Sequence, residues 1–182
     1  DEPDKTPFVP KAAQRFFQLK NRYILTSVKS GLMVIDQKRA HERILYENYL
    51  LNLSMGPTSS QQELFPQSIE LSPGDFALLS HLVDDLSTLG IGISFLGQGT
   101  IAVNSLPSNI RVTNPEQLIY DFLESFKENA SSHDSDVHQR MAASLAKASA
   151  IPYNRQLEPI EMQDLVDKLF ACQHPNVSPE GK

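Results

Sequence analysis

The chain has 182 residues, 22 acidic against 16 basic side chains, a formal charge of −6 and an ordinary balance of 40% hydrophobic to 21% charged residues. That balance excludes wholesale disorder, and the length holds one compact domain or two small ones sharing a core. No apolar run is long enough to span a bilayer and no charged-then-apolar leader opens the chain, so neither a transmembrane nor an exported protein is expected. The acidic balance, with a pI of about 5.3, argues against gripping DNA by bulk electrostatics but leaves room for a local basic patch.

Residues 1–11 are polar, carry three prolines and read as a linker. Phe16 to Val28 is rich in aromatic and β-branched residues, with Tyr23-Ile24-Leu25 as its most strand-like part. Lys29-Ser30-Gly31 supplies a turn, and Leu32 to Ile35 is a short apolar run, so the two runs predict a β-hairpin. From Asp36 the period changes. Ala40, Ile44, Leu45, Tyr49, Leu51 and Leu53 predict a helix over 37–53, with Asp36 as its N-cap. Arg43 and Glu47 form an i,i+4 pair on it.

A loop follows at 54–60, then a short strand at 67–71. Ser72-Pro73 opens a leucine-faced helix that Gly90 ends. Residues 92–96 and 100–106 flank Gly97-Gln98-Gly99 as a hairpin, and Asn114-Pro115 starts a further helix. Residues 129–136 are a polar loop; 137–150 and 159–170 are amphipathic helices; the tail from Cys172 is loop-like. Because Cys172 is the single cysteine, neither an internal disulfide nor a multi-cysteine zinc knuckle forms within one chain. Strand pairs alternating with helices give an α/β or α+β class. The stretch 61–150 reads as a unit inserted between the first hairpin-plus-helix and the last helix.

The run Asp36-Gln37-Lys38-Arg39-Ala40-His41-Glu42-Arg43-Ile44-Leu45-Tyr46-Glu47, preceded by Tyr23-Ile24-Leu25 and Gly31 to Ile35, is specific. It resembles the C-terminal dimerisation domain of the MutL family of DNA mismatch-repair proteins, in which a strand ends in Asp-Gln-His-Ala, followed after two residues by Glu and after four more by Glu. Asp36, Gln37, Glu42 and Glu47 stand at the matching places. The order of elements agrees over about 12–182, most weakly in the middle. The resemblance implies a dimerisation subdomain with a mixed sheet and helices, discontinuous over 12–60 and 151–182, plus a regulatory α/β subdomain at 61–150. It implies a homodimer, and through the full-length protein a mismatch-recognition partner and DNA, in a bacterial-type cytoplasm, nucleoid-associated.

In nuclease-bearing members that motif is implied to hold divalent metal and nick DNA, since carboxylates with imidazole and thiolate can hold two cations that activate water. This chain departs from the pattern. Lys38 stands for the histidine and Arg39 for the alanine, and a protonated lysine repels a cation. Ser144 matches the family's Ala-Cys-Arg cysteine. Ser178-Pro179-Glu180-Gly181-Lys182 best matches its Cys-Pro-His-Gly-Arg, with Cys172-Gln173-His174 as an offset alternative. Asp36, Glu42 and Glu180 remain as oxygen ligands for Mg²⁺ or Mn²⁺, with Zn²⁺ also conceivable, although no cofactor is expected. A second family feature is Gln61-Gln62-Glu63-Leu64-Phe65-Pro66, in which Gln61, Leu64, Phe65 and Pro66 fit the peptide by which proteins engage the replicative sliding clamp.

Plainer readings stand beside these. Asp36 serves as a helix cap alone. Glu42 and Glu47, roughly 140° apart around a helix, lie on a solvated face. Lys38 and Arg39 oppose the helix dipole and call for Asp36, Glu42 or a phosphate as partner. His41 is a surface or partly packed residue, Cys172 a small apolar group, and Phe65 core. A sheet face around 32–35 left uncovered within the chain makes a twofold interface. Two functional readings follow: a dimerising module that also docks the sliding clamp, and a latent metal-dependent endonuclease using Asp36 and Glu42. An unrelated α/β adaptor is the third.

Overall fold

The computed structural model describes residues 15–56, 59–63, 66–129, 136–179 and 181. The run 16–28 is two strands rather than one. β1 (Phe16–Leu19) and β2 (Tyr23–Val28) are antiparallel, joined through Lys20 at φ 52° and Asn21 at φ 47°. The Arg22 N–H donates to Leu19 O at 3.1 Å and closes this tight turn. Lys20 and Asn21, the central residues of this turn, both take positive φ, and with Arg22 they make the three-residue loop between the paired Leu19 and Tyr23. β3 (Gly31–Asp36) pairs antiparallel with β2, giving a three-stranded meander ordered β1-β2-β3.

α1 (Gln37–Met55) leaves the end of β3 directly. Beyond it come β4 (Ser60–Gln62), β5 (Ser68–Glu70), α2 (Pro73–Thr88), β6 (Gly92–Gly97) and β7 (Thr100–Pro107). β7 is the centre of the second sheet. β6 runs along one side of it, while β4 and β5 pair with opposite ends of its other side. α3 (Pro115–Glu128), α4 (Val137–Ser149) and α5 (Pro159–Ala171) complete the chain. β4 takes in Ser60, the last residue of the expected loop, and Gln61-Gln62, for which no element is expected; three exposed polar residues carry no alternation to read.

The class is α+β. Every pairing among the described strands is antiparallel, so the mixed sheet that the resemblance implies is not seen there. No helix returns one strand parallel to another, and the β6–β7 pair needs only the turn at Gly97-Gln98-Gly99, all three at positive φ.

Two apolar cores form. The first packs Ile24 and Ile35 of the meander against Ala40 and Ile44 of α1, Leu157, and Met162, Leu165, Val166 and Leu169 of α5. The second gathers Ile69, Ile101, Val103 and the buried faces of α2, α3 and α4 around Leu45 and Tyr49 of α1. α1 therefore serves both, with Ala40 and Ile44 turned to one side and Leu45 and Tyr49 to the other.

Candidate functional site

Two surfaces meet at the start of α1. The first is the Asp36 corner. Asp36 is the last residue of β3 and the cap of α1: its Oδ1 accepts from Lys38 N and Arg39 N, each at 3.1 Å. Its other oxygen takes Arg22 Nε at 3.3 Å and the Tyr153 hydroxyl at 3.4 Å. The Arg22 guanidinium lies 4.5 Å from the Tyr153 ring centre and Lys38 Nζ 5.4 Å from it. Lys38 pairs with Glu42 at 4.0 Å, one turn on. The cation in the first turn, unfavourable against the helix dipole, is thus balanced by two carboxylates and an aromatic face.

Gln37 is 0% exposed. Its Nε2 donates to Asn21 O at 2.9 Å and Arg155 O at 3.1 Å, and its Oε1 accepts from Gln18 Nε2 at 2.6 Å. It rivets the β1–β2 turn and the 153–157 connection to the helix start. His41 is half-buried and its Nδ1 accepts the Ile151 N–H at 2.9 Å. Burial, helped by the charges of Arg155 and Lys168, pushes its pKa down to about 4; neutral imidazole is the form that can accept this bond.

Arg43 and Glu47 form a clasp. The buried Arg43 guanidinium donates to Val177 O and Ser178 O, both at 2.7 Å, and lies 3.6 Å from Glu47. Glu47 in turn accepts from Gln173 N at 2.7 Å and His174 N at 3.2 Å. Residues 173–178 are strapped along α1 by side chains more than 120 positions away. Glu47 is therefore not part of a solvated face, and sequence reasoning missed the role of both residues; the only signal was their i,i+4 spacing.

The implied metal does not fit the residues described. Asp36 is committed to the cap and Arg22, and Glu42 faces a lysine. Ser144 lies buried in α4 within the second core and takes Asn129 Nδ2 at 3.2 Å. Ser178 offers its carbonyl to Arg43. The Cys172 thiol donates to Lys168 O at 3.4 Å, and burial pushes its pKa up to about 11, against metal-binding thiolate. Glu180 lies outside the described residues. Among the described residues no three His, Cys, Asp or Glu side chains come together as a metal-holding group. Of the clamp peptide, Gln61 sits exposed in β4 opposite Leu106 and Pro66 is exposed, whereas Leu64 and Phe65 lie outside the described residues.

The second surface is the outer face of the meander. Strand alternation sends Ile24, Met33 and Ile35 into the first core and Phe17, Leu19, Leu25, Leu32 and Val34 to the other side. Phe17, Leu25 and Val34 stand in register across the three strands. Phe17 is 62%, Leu32 67% and Val34 56% exposed, and such a contiguous apolar face marks a contact surface. Among the described residues, no helix is long and apolar enough to cross a membrane.

A family model described as the MutL C-terminal dimerisation domain matches residues 16–157. The DNA mismatch repair protein MutL of Bacteroides fragilis is 42% identical over 165 residues, which is 91% of this chain and 26% of the relative. That of Phocaeicola vulgatus is 41% identical over 174 residues, 96% of this chain and 28% of the relative. That of Chlorobium phaeovibrioides is 34% identical over 180 residues, 98% and 29% respectively. The chain thus spans little more than a quarter of the length of these relatives, and it belongs to the MutL C-terminal dimerisation domain family.

Proposed function

We propose that this domain is the homodimerisation module of a DNA mismatch-repair protein. It joins two chains through the outer face of β1-β2-β3, so that ATPase-bearing parts outside this sequence act as a pair. The observation that carries this is the registered row Phe17–Leu25–Val34 with Leu32 beside it, apolar and uncovered within the chain. Light scattering after size exclusion at micromolar concentration is expected to give a dimer for the natural sequence and a monomer for Leu32→Glu, which would bury a carboxylate from each chain in the contact. A natural sequence that stays monomeric overturns the reading.

The module acts without a metal-dependent nuclease centre. Lys38 opposite Glu42 and the capping role of Asp36 support this. Supercoiled DNA incubated with the protein and Mn²⁺ is expected to stay intact. Nicking that Asp36→Asn abolishes would establish the endonuclease reading instead. The unit 61–150 is proposed as the regulatory part, offering Gln61, Leu64, Phe65 and Pro66 to the sliding clamp. The exposure of Gln61 supports this; alanine at Gln61 and Phe65 together is expected to lower clamp affinity about tenfold or more in surface plasmon resonance.

A further inference from the structure

A strand at the edge of a sheet presents unpaired backbone donors and acceptors, and proteins guard such edges with short strands, bulges, lysine or proline. Among the described strands, β3 is the edge that lacks a guard. β1 has four residues, and β4 and β5 have three each. β6 follows β7 through two irregularities of register. β3 has six residues, contains neither lysine nor proline, and keeps an unbroken register with β2, its single partner.

The register shows which backbone groups are free. The Gln37 N–H donates to Arg22 O at 2.9 Å, which makes Arg22 and Gln37 a hydrogen-bonded pair. Hydrogen-bonded and open pairs alternate along an antiparallel ladder. Ile35 and Met33 therefore bond to Ile24 and Thr26, while the N–H and C=O groups of Leu32 and Val34 point away from the sheet.

A cleft lies beside this edge. One wall is β3 itself over 33–36; the other is Leu169-Phe170 at the end of α5 with 175–178 of the strap, and α1 adds Ala40, Arg39 and Arg43. Phe170 is 53% and Val177 42% exposed. The hollow at the opposite edge of the meander meets β1 only at Phe16, with Arg15, Pro159, Ile160 and Gln163 around it, so it does not follow the strand. The charges of the β3 cleft do not cancel. Asp36 is taken up by the cap, Arg22 and Tyr153, and Arg43 by two carbonyls and Glu47. Arg39 is exposed, and among the described residues no side-chain hydrogen bond or ion pair holds its guanidinium.

We propose that the open edge of β3 docks an extended peptide segment of another protein, which adds to the sheet as a fourth strand. Its backbone bonds to Leu32 and Val34, apolar side chains at alternate positions enter the cleft beside Phe170 and Val177, and an acidic side chain meets Arg39. The main-chain bonds supply affinity, and the cleft and the unbalanced cation supply specificity. The proposal uses a backbone edge and the cleft next to it, so it does not rest on the outer-face reading.

The test is to pan a phage-displayed library of random twelve-residue peptides on the whole chain and to measure the enriched sequences as labelled synthetic peptides by fluorescence anisotropy. They are expected to carry alternating apolar residues with an acidic residue at one end, and to bind about tenfold or more weakly to Arg39→Glu and to Phe170→Ser. Both altered side chains are exposed, so the fold should tolerate each change. Methylating every second peptide amide should abolish binding in one phase and spare it in the other, because alternate amides of an added strand face β3. Bound peptide should slow hydrogen exchange at the Val34 amide and leave Met33 and Ile35 unchanged. Self-association of both variants, followed by sedimentation velocity, should match that of the natural sequence. No enriched peptide, binding untouched by Arg39→Glu, or methylation effects without alternation overturns the proposal. Weakened self-association in either variant assigns this edge to a second copy of the chain and overturns it as well.

Discussion

Lys38 and Arg43 are two cations about 1.4 turns apart on the same helix, and they do different work. Lys38 is half-buried, 4.0 Å from Glu42 and near an aromatic ring; a pair of that kind is worth about 0.5 kcal/mol. Arg43 is buried with its donors spent on two carbonyls and a carboxylate. Removing it leaves those acceptors dry. Arg43→Met is accordingly expected to cost about 2–4 kcal/mol in urea unfolding, and Lys38→Met under 1 kcal/mol. His41 makes a pH prediction. Its folded pKa of about 4 lies below the ordinary value of 6.5, so between those values the unfolded chain binds more protons. The stability it contributes is complete above pH 6.5 and declines as pH falls towards 4, by on the order of 1–3 kcal/mol. A His41→Gln variant should show a flatter dependence over that window when unfolding is followed from pH 7 to 4.5; an unchanged slope would count against it.

At the scale of elements, what can be read in the sequence is what is local. Ser72-Pro73 and Asn114-Pro115 mark the starts of α2 and α3, and in the structure Ser72 Oγ accepts Asp75 N at 3.2 Å and Asn114 Oδ1 accepts Gln117 N at 3.1 Å. Asp36 announces α1 in the same way. The β1–β2 break escaped because Lys20-Asn21-Arg22 contains no glycine and lies between two strand-like stretches; Asn21 tolerates positive φ through its short polar side chain. The strap escaped for another reason. Its anchors Arg43 and Val177 are 134 positions apart, and nothing in a loop-like tail points to a partner at that distance. Of the site residues, Asp36, Lys38 and Glu42 were legible as neighbours because one helical turn relates them. Gln37, Arg22 and Tyr153 were not, since their contacts depend on how the β1–β2 turn and the 153–157 connection fold back. The clasp predicts that Glu47→Gln, which keeps one acceptor oxygen and loses the charge, speeds hydrogen exchange at Gln173 and His174 about tenfold while the α2 and α3 amides keep their rates.

For the molecule as a whole, the uncovered face of the meander was legible as a possibility from the apolar run 32–35, yet only the register of three strands turns it into a surface. Its exposure makes stability depend on protein concentration: burying it in a dimer adds to the unfolding free energy by mass action. Thermal midpoints measured at 1 and 100 μM should differ by a few degrees for the natural sequence and coincide for Leu32→Glu, as scanning fluorimetry would reveal.

α1 also bears on how the halves move. Because Ala40 and Ile44 lock into one core while Leu45 and Tyr49 lock into the other, this single rod cannot bend between them without opening both. The two halves should therefore melt in one cooperative step, and excising 61–150 would strip the cover from a wholly enclosed tyrosine rather than free an independent lobe. Any swivel that relays a signal across the domain has to be found in the connections flanking this rod, not within its length.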